Sequence, residues 1–331
     1  MKRMLTAAGL ALVMASGAAG AAEIKPAVVF DMGGKFDKSF NEGIYNGLEK
    51  FRNETGIAYR EFEVTNETQR EQALRRMAQR GMDPVIAVGF AQAPALDKVA
   101  REFPDTRFTI IDMVVDLPNV QSVVFKEHEG SFLVGVAAAM ASKTDKVGFI
   151  GGMDIPLIRK FACGYEQGVH YVNPNAKIFQ NMTGTTPAAW NNPTKGGELA
   201  RSQFDRGADV VYAAAGGTGI GVYQAAKDSG KLAIGVDSNQ NYLHPGTMLT
   251  SMLKRVDVAA YNTFKTALDG TWKPGIQVLG LAEDGVGWAL DEYNRDLVSA
   301  EMKAKVEQAR AEILAGKIEV HDYMSDNTCT Y

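Results

Sequence analysis

Cysteine is nearly absent. The 331-residue chain has two, Cys163 and Cys329, and no Cys-x-x-Cys motif. Histidine is scarce as well: His128, His170, His244 and His321 show no close ligand spacing, so no metal site is expected. Positive charge is not concentrated anywhere. With 35 Lys+Arg against 39 Asp+Glu and no long basic run, the chain lacks the electrostatic footprint of a nucleic-acid binder. Long apolar runs are missing too; "GSFLVGVAAAMAS" (130–142) is too short to span a bilayer. An aspartate-rich metal cluster and a complete Gly-x-Gly-x-x-Gly unit are both lacking, which argues against a metal-dependent hydrolase and a dehydrogenase. No catalytic constellation and no cofactor are expected.

What is present begins with an export signal. "MKRMLTAAGLALVMASGAAGAA" carries Lys2 and Arg3, an apolar centre and a run of small residues. Cleavage is expected after Ala22, with Ala21 as the alternative, and no cysteine near that point offers a lipid anchor. The expected product is soluble and periplasmic, with 33 basic against 39 acidic residues, a balance of −6. Residues 23–331 exceed the size at which one core usually divides, so two domains are expected. In an oxidising compartment Cys163 and Cys329 either pair or remain two buried thiols. Pairing is favoured because Cys329 lies in a polar tail with little else to hold it.

The mature chain alternates unbroken apolar runs with helix-period segments. The runs fall at 27–32, 84–89, 107–112, 120–125, 146–152, 209–217 and 231–237. Such runs suit strands covered on both faces, hence parallel sheets built from right-handed βαβ units. Between them, Ile44, Leu48 and Phe51 line one helix, Ala73, Leu74 and Met77 a second, and Leu96, Val99, Ala100 and Phe103 a third. Residues 130–142 read as a helix buried all round, 256–270 as another helix followed by a short extended piece, and 297–316 as a last helix. The expected architecture is two doubly wound parallel-sheet lobes joined by a hinge, with no low-complexity linker between them. Lobe 1 takes 23–125 plus 252–282, and lobe 2 takes 126–251 plus 283–331.

The segment after the first run, "DMGGKFDKSFNEG" (31–43), carries more chemistry than a turn requires. Ligands of open α/β sheets bind at this end of the strands, close to helix N-termini. Ser39 with Glu42 reads as a capping box. Of the two phenylalanines, Phe40, beside Asn41, is the better one to face a cleft and stack on a flat ring; Phe36 is the fallback. Asp31 ends the strand. Other strand ends add "KEHEGS" (126–131), the glycine-rich "AAGGTGIG" (214–221), Asp237 in "GVDSNQ" and Lys254 in "SMLKRVD". Trp190 stands on the polar loop "TTPAAWNNPTKGGELA" (185–200), either folded onto the next helix or facing the cleft opposite Phe40.

Taken in order, "DMGGKFDKSFNEGIYNGLEKF", "FKEHEGSFLVGVAAAMASKTDKVGFIGG", "AAWNNPTKGGELA", "AAGGTGIGVYQAA", "GVDSNQ" and "TSMLKRVD" resemble the landmarks of the basic membrane protein family. These are substrate-binding proteins of ABC importers and include purine nucleoside receptors. The resemblance implies a bilobed fold like the type I periplasmic binding proteins, with a purine nucleoside in the cleft. It places Phe40 and Trp190 on either side of the base, Asp31 and Asn41 at the base edge, and Gly217, Asp237 and Lys254 on the ribose. It further implies a monomer that is not an enzyme and that serves a membrane permease and its ATPase. The alternative is a receptor of the same fold for a sugar or signalling molecule. Trp190 and Asn192 stand where phenylalanine and aspartate are usual, and no cysteine opens the mature chain.

Overall fold

The computed structural model describes residues 23–329; the expected export signal lies outside them. Twelve strands form two six-stranded sheets. The first contains β1 (Ala27–Phe30), β2 (Arg60–Glu63), β3 (Val85–Val88), β4 (Phe108–Ile111), β5 (Val120–Phe125) and β11 (Gly275–Leu279), in the order β11-β5-β4-β3-β1-β2. The second contains β6 (Lys146–Met153), β7 (Lys177–Gly184), β8 (Val210–Ala214), β9 (Leu232–Asp237), β10 (Met248–Lys254) and β12 (Val286–Trp288), in the order β12-β10-β9-β8-β6-β7. All pairings are parallel except β10 with β12. The two orders are the same doubly wound pattern written twice.

The reason for strand formation is visible in the burial. β1, β3 and β4 are buried along their full length because helices cover both faces of the sheet. On the first sheet α1 (Phe40–Thr55) and α8 (Val256–Leu268) pack together on one side, and α2 (Gln69–Gln79) and α3 (Ala93–Glu102) on the other. On the second, α4 (Glu127–Ala141), α5 (Pro156–Val172) and α9 (Ala300–Leu314) cover one face, and α6 (Pro193–Asp205) with α7 (Gly219–Asp228) the other. The apolar helix expected at 130–142 is the core of α4, pressed closely on α5. A Cβ on Gly168 would lie 2.0 Å from the Phe132 carbonyl oxygen, and one on Gly135 would lie 2.3 Å from that of Tyr165. Only glycine allows that approach.

The chain passes between sheets after Phe125, after Lys254 and after Leu279. Cys163 and Cys329 form a disulfide with 5.5 Å between their Cα atoms, tying the C-terminal tail to α5. One local expectation is corrected. Ser39 and Glu42 do not form a capping box. Asp37 caps α1 instead: its carboxylate accepts from the backbone N–H of Ser39, Asn41 and Glu42 at 2.8, 3.0 and 3.1 Å. The Ser39 hydroxyl is thereby released for a partner in the other lobe.

Candidate functional site

A cleft with about 650 Å³ of space free of protein atoms, the open solvent at its mouth included, lies where the carboxyl ends of both sheets meet. The first lobe lines it with Asp31, Met32, Asp37, Phe40 and Asn41 from the β1–α1 segment, Gly89 and Phe90 after β3, and Asp112 after β4. The second adds Leu157, Ile158 and Phe161 of α5, Trp190, the Ala214–Gly216 turn, Val236, Asp237 and Lys254.

Backbone strain gathers at these strand ends. Asp112 and Asp237, neither of them glycine, take φ values of 76° and 62°, alongside Gly89 at 91° and Gly216 at 57°. Left-handed conformations of this kind in non-glycine residues are costly and concentrate at binding sites. Here they turn the carboxylates away from the strand direction.

Lys254 is the cation of the site, 2% exposed. Its Nζ lies 2.7 Å from the Asp112 carboxylate and 2.9 Å from Glu127 Oε1. It also lies 5.2, 5.2 and 5.4 Å from the ring centres of Phe40, Phe125 and Phe161. Burial would lower the lysine pKa, but Asp112, Glu127 and Asp237 outweigh it and hold the ammonium well above the usual lysine range. Burial pushes Asp112 up to about 6, against the pull of Lys254. Burial would raise Glu127 too, yet Lys254 and Lys160 together keep it below the usual carboxylate range. The direct contacts of Lys254 are thus Asp112 and Glu127, and Asp237 feels it only through space. The Ser39 hydroxyl donates to Asp237 Oδ2 at 2.5 Å instead. Ser238 Oγ donates back to the Ser39 carbonyl at 2.8 Å, and Gln240 Nε2 to that of Lys38 at 2.9 Å. This set of bonds joins the start of α1 to the other lobe.

The opposite wall is rich in acceptors. Arg70 Nε donates to Asp31 Oδ1 at 3.0 Å. Burial raises the Asp31 pKa, and Arg70 opposes that rise. Asn41 is 4% exposed. Its Nδ2 donates to the Gly34 carbonyl at 3.2 Å, which fixes the amide orientation, and its Oδ1 is buried with no partner. Burial pushes Asp37 up to about 7 even though three backbone N–H groups hold its carboxylate.

Trp190 closes the three-residue-turn helix Pro187–Trp190 and lies over β6, where Gly152 makes room: a Cβ there would fall 2.1 Å from the ring. Asn192 accepts from the Lys195 N–H at 3.0 Å and caps α6. The structure thus brings Asp31, Phe40, Asn41, Trp190, Asp237 and Lys254 to one cavity. It does not bring Phe36, which is 60% exposed and meets the Tyr45 ring edge-on at 5.2 Å. Gly217 lies just behind the lining, with Gly216 at the surface. Asp112 was missed, although it closes "RFTIID" as Asp237 closes "KLAIGVD". Glu127 lies in "KEHEGS", where an acid in the first turn of a helix is ordinary. Leu157, Ile158 and Phe161 gave no signal, since they are part of the ordinary apolar face of α5.

Two doubly wound lobes around a polar, aromatic-walled cleft define the fold of the type I periplasmic binding proteins. Residues 24–323 match the family described as ABC transporter substrate-binding protein PnrA-like, and the chain belongs to that family. It is 34% identical to the "CD4+ T-cell-stimulating antigen" of Listeria monocytogenes, over 89% of this chain and 87% of that protein. It is 32% identical to the "ABC transporter nucleoside-binding protein BmpA" of Lactococcus lactis, over 90% and 89%. Among solved structures it resembles an ABC transporter solute-binding protein from Aeropyrum pernix, with a TM-score of 0.83, 28% identity and coverage of 90% and 93%. Members of this family are solute-binding proteins, which hand their ligand to a membrane permease and its ATPase. Among the described residues no helix is long and apolar enough to cross a membrane, and no group of His, Cys, Asp and Glu is placed to hold a metal.

Proposed function

We propose that the chain is an exported, monomeric periplasmic receptor that binds a purine nucleoside between its lobes and delivers it to a permease. The observation that carries this reading is the acceptor-rich wall: Asn41, whose Oδ1 is buried and unpartnered, and Asp31 line one cavity together with Phe40 and Trp190. A buried acceptor without a donor is costly, so the guest must supply N–H groups at that spot. A purine offers a flat face for the two rings and an N–H edge for the two acceptors. The 6-oxopurines, with N1–H, fit better than adenine, whose N1 would meet the carboxylate as a second acceptor. Across the cleft, Asp237 and Lys254, of opposite sign and lining the same cavity, suit ribose hydroxyls, Asp237 accepting and Lys254 donating. The Gly216–Gly217 turn adds backbone approach without a side chain. Ligand contacts to both lobes favour the closed arrangement by their differential affinity. The name of the Lactococcus relative supports the same class of ligand.

Mass spectrometry of small molecules released from the purified protein on denaturation tests the reading. Guanosine or inosine is the expected species. A free sugar or another non-purine molecule in stoichiometric amount overturns the nucleoside assignment and leaves a receptor of the same fold for another solute.

A further inference from the structure

The ion network does not end at the cleft. Glu127 Oε1 faces Lys254, and its Oε2 lies 3.1 Å from Lys160 Nζ. Lys160, 7% exposed, also donates to the Phe125 carbonyl at 2.8 Å and lies 3.3 Å from Asp322 Oδ2. Charges therefore alternate without a break from the cleft to the C-terminal tail: Asp112, Lys254, Glu127, Lys160, Asp322. Phe125 and Glu127 flank the first passage between sheets, and Lys254 ends the strand before the second.

The tail that supplies Asp322 is fastened to the helix that carries Lys160. Lys160, Cys163 and Gln167 recur at helical spacing on one side of α5. Cys163 bonds Cys329, and Gln167 exchanges two hydrogen bonds with the His321 backbone, at 2.8 and 3.0 Å. His128 faces the same carboxylate at 3.9 Å but is kept neutral by burial and by Lys160, so it adds no positive charge.

We propose that Asp322 and Lys160 are positioning residues for Lys254, and that the Cys163–Cys329 bond keeps Asp322 in place. The inference rests on the proposed role of Lys254 toward the ribose. Glu127 is shared by two buried lysines. With Asp322 present, Lys160 has a second counter-charge, and Glu127 is left to hold Lys254 toward the cleft. Without it, Lys160 draws on Glu127 alone, and Lys254 loses part of its support. The tail acts on the ligand without touching it.

The test compares guanosine with free guanine by calorimetry on ligand-stripped protein. Asp322→Asn is expected to weaken guanosine by about 2- to 150-fold, the range of coupling between residues of one network, and to leave guanine unchanged. Asp322→Glu should restore most of the loss. Cys163→Ser with Cys329→Ser should give the same selective loss, and adding Asp322→Asn to it should change little. Equal weakening of guanosine and guanine, or no weakening of either, overturns the proposal. Denaturant midpoints of the ligand-free protein provide a second arm that needs no nucleoside. Non-additive shifts for Asp322→Asn and Lys254→Met support the relay even if no nucleoside binds, in which case the functional reading alone fails. Additive shifts overturn the relay.

Discussion

Asp112 and Asp237 close equivalent strands, β4 and β9, fourth from the same edge in the two sheets. Both take the left-handed conformation and both turn into the cleft. Their partners differ. Asp112 is 2.7 Å from the Lys254 ammonium, whereas Asp237 receives only a hydroxyl, that of Ser39. The repeated topology delivers a carboxylate to the same place twice, and the neighbours decide its use. One carboxylate holds a buried cation in position. The other retains lone pairs and, through the Ser39 hydroxyl, ties its strand to the start of α1 in the first lobe.

That contrast can be broken by substitution. Lys254→Met should have the largest effect, because Asp112 loses its cation and Glu127 keeps only Lys160; removing one partner of a buried pair costs about 3–5 kcal/mol, read as a lower denaturant midpoint, with nucleoside binding lost. Asp112→Asn should cost less, about 3 kcal/mol, since Glu127 remains to pair Lys254. Asp237→Asn is expected to behave in the opposite sense. Burial raises both carboxyls, but only Asp112 touches the buried Lys254, whereas Asp237 receives the Ser39 hydroxyl and leaves no cation unpaired when neutralised. Neutralising it should therefore leave ligand-free stability at pH 7 unchanged or raised, while affinity falls by about 1.5–3 kcal/mol through a lost charged acceptor. Equal stability losses for the two aspartate variants would erase the distinction.

Trp190→Ala should weaken binding by about 1–3 kcal/mol, the range for one base–aromatic stack. An unchanged affinity would remove the ring from the site. Ser39→Ala should have the smallest effect, about 1 kcal/mol for one hydrogen bond. It should appear as weaker ligand binding with α1 intact, because Asp37 supplies the cap. A loss of helix content would return Ser39 to a capping role.

The sheets were readable in the sequence because strands buried on both faces must be apolar throughout, as β1, β3 and β4 are. Two of the edge strands were not. β2, "REFE", is largely exposed and β7, "KIFQNMTG", only half-buried, so neither stands out from a loop. β10, "MLTSMLK", is buried but built from Met, Leu, Ser and Thr, without the β-branched aliphatic residues that marked its neighbours. In the site, strand-end chemistry was legible at Asp31, Asp237 and Lys254. What escaped is non-local. The pairing of Lys254 with Asp112 spans 142 positions and that of Ser39 with Asp237 spans 198. The pattern Ser39-x-x-Glu42 matched a local motif whose serine was already committed elsewhere. Phe36 and Phe40 flank the same turn, and only the start of α1 decides that Phe40 faces the cleft.

Isothermal titration of unfolded, ligand-stripped and refolded protein tests the central claim most directly. The account predicts saturable one-to-one binding of guanosine or inosine at micromolar concentration or tighter, with adenosine weaker. Absence of heat with all three nucleosides, in protein whose cooperative unfolding shows it has refolded, would contradict it.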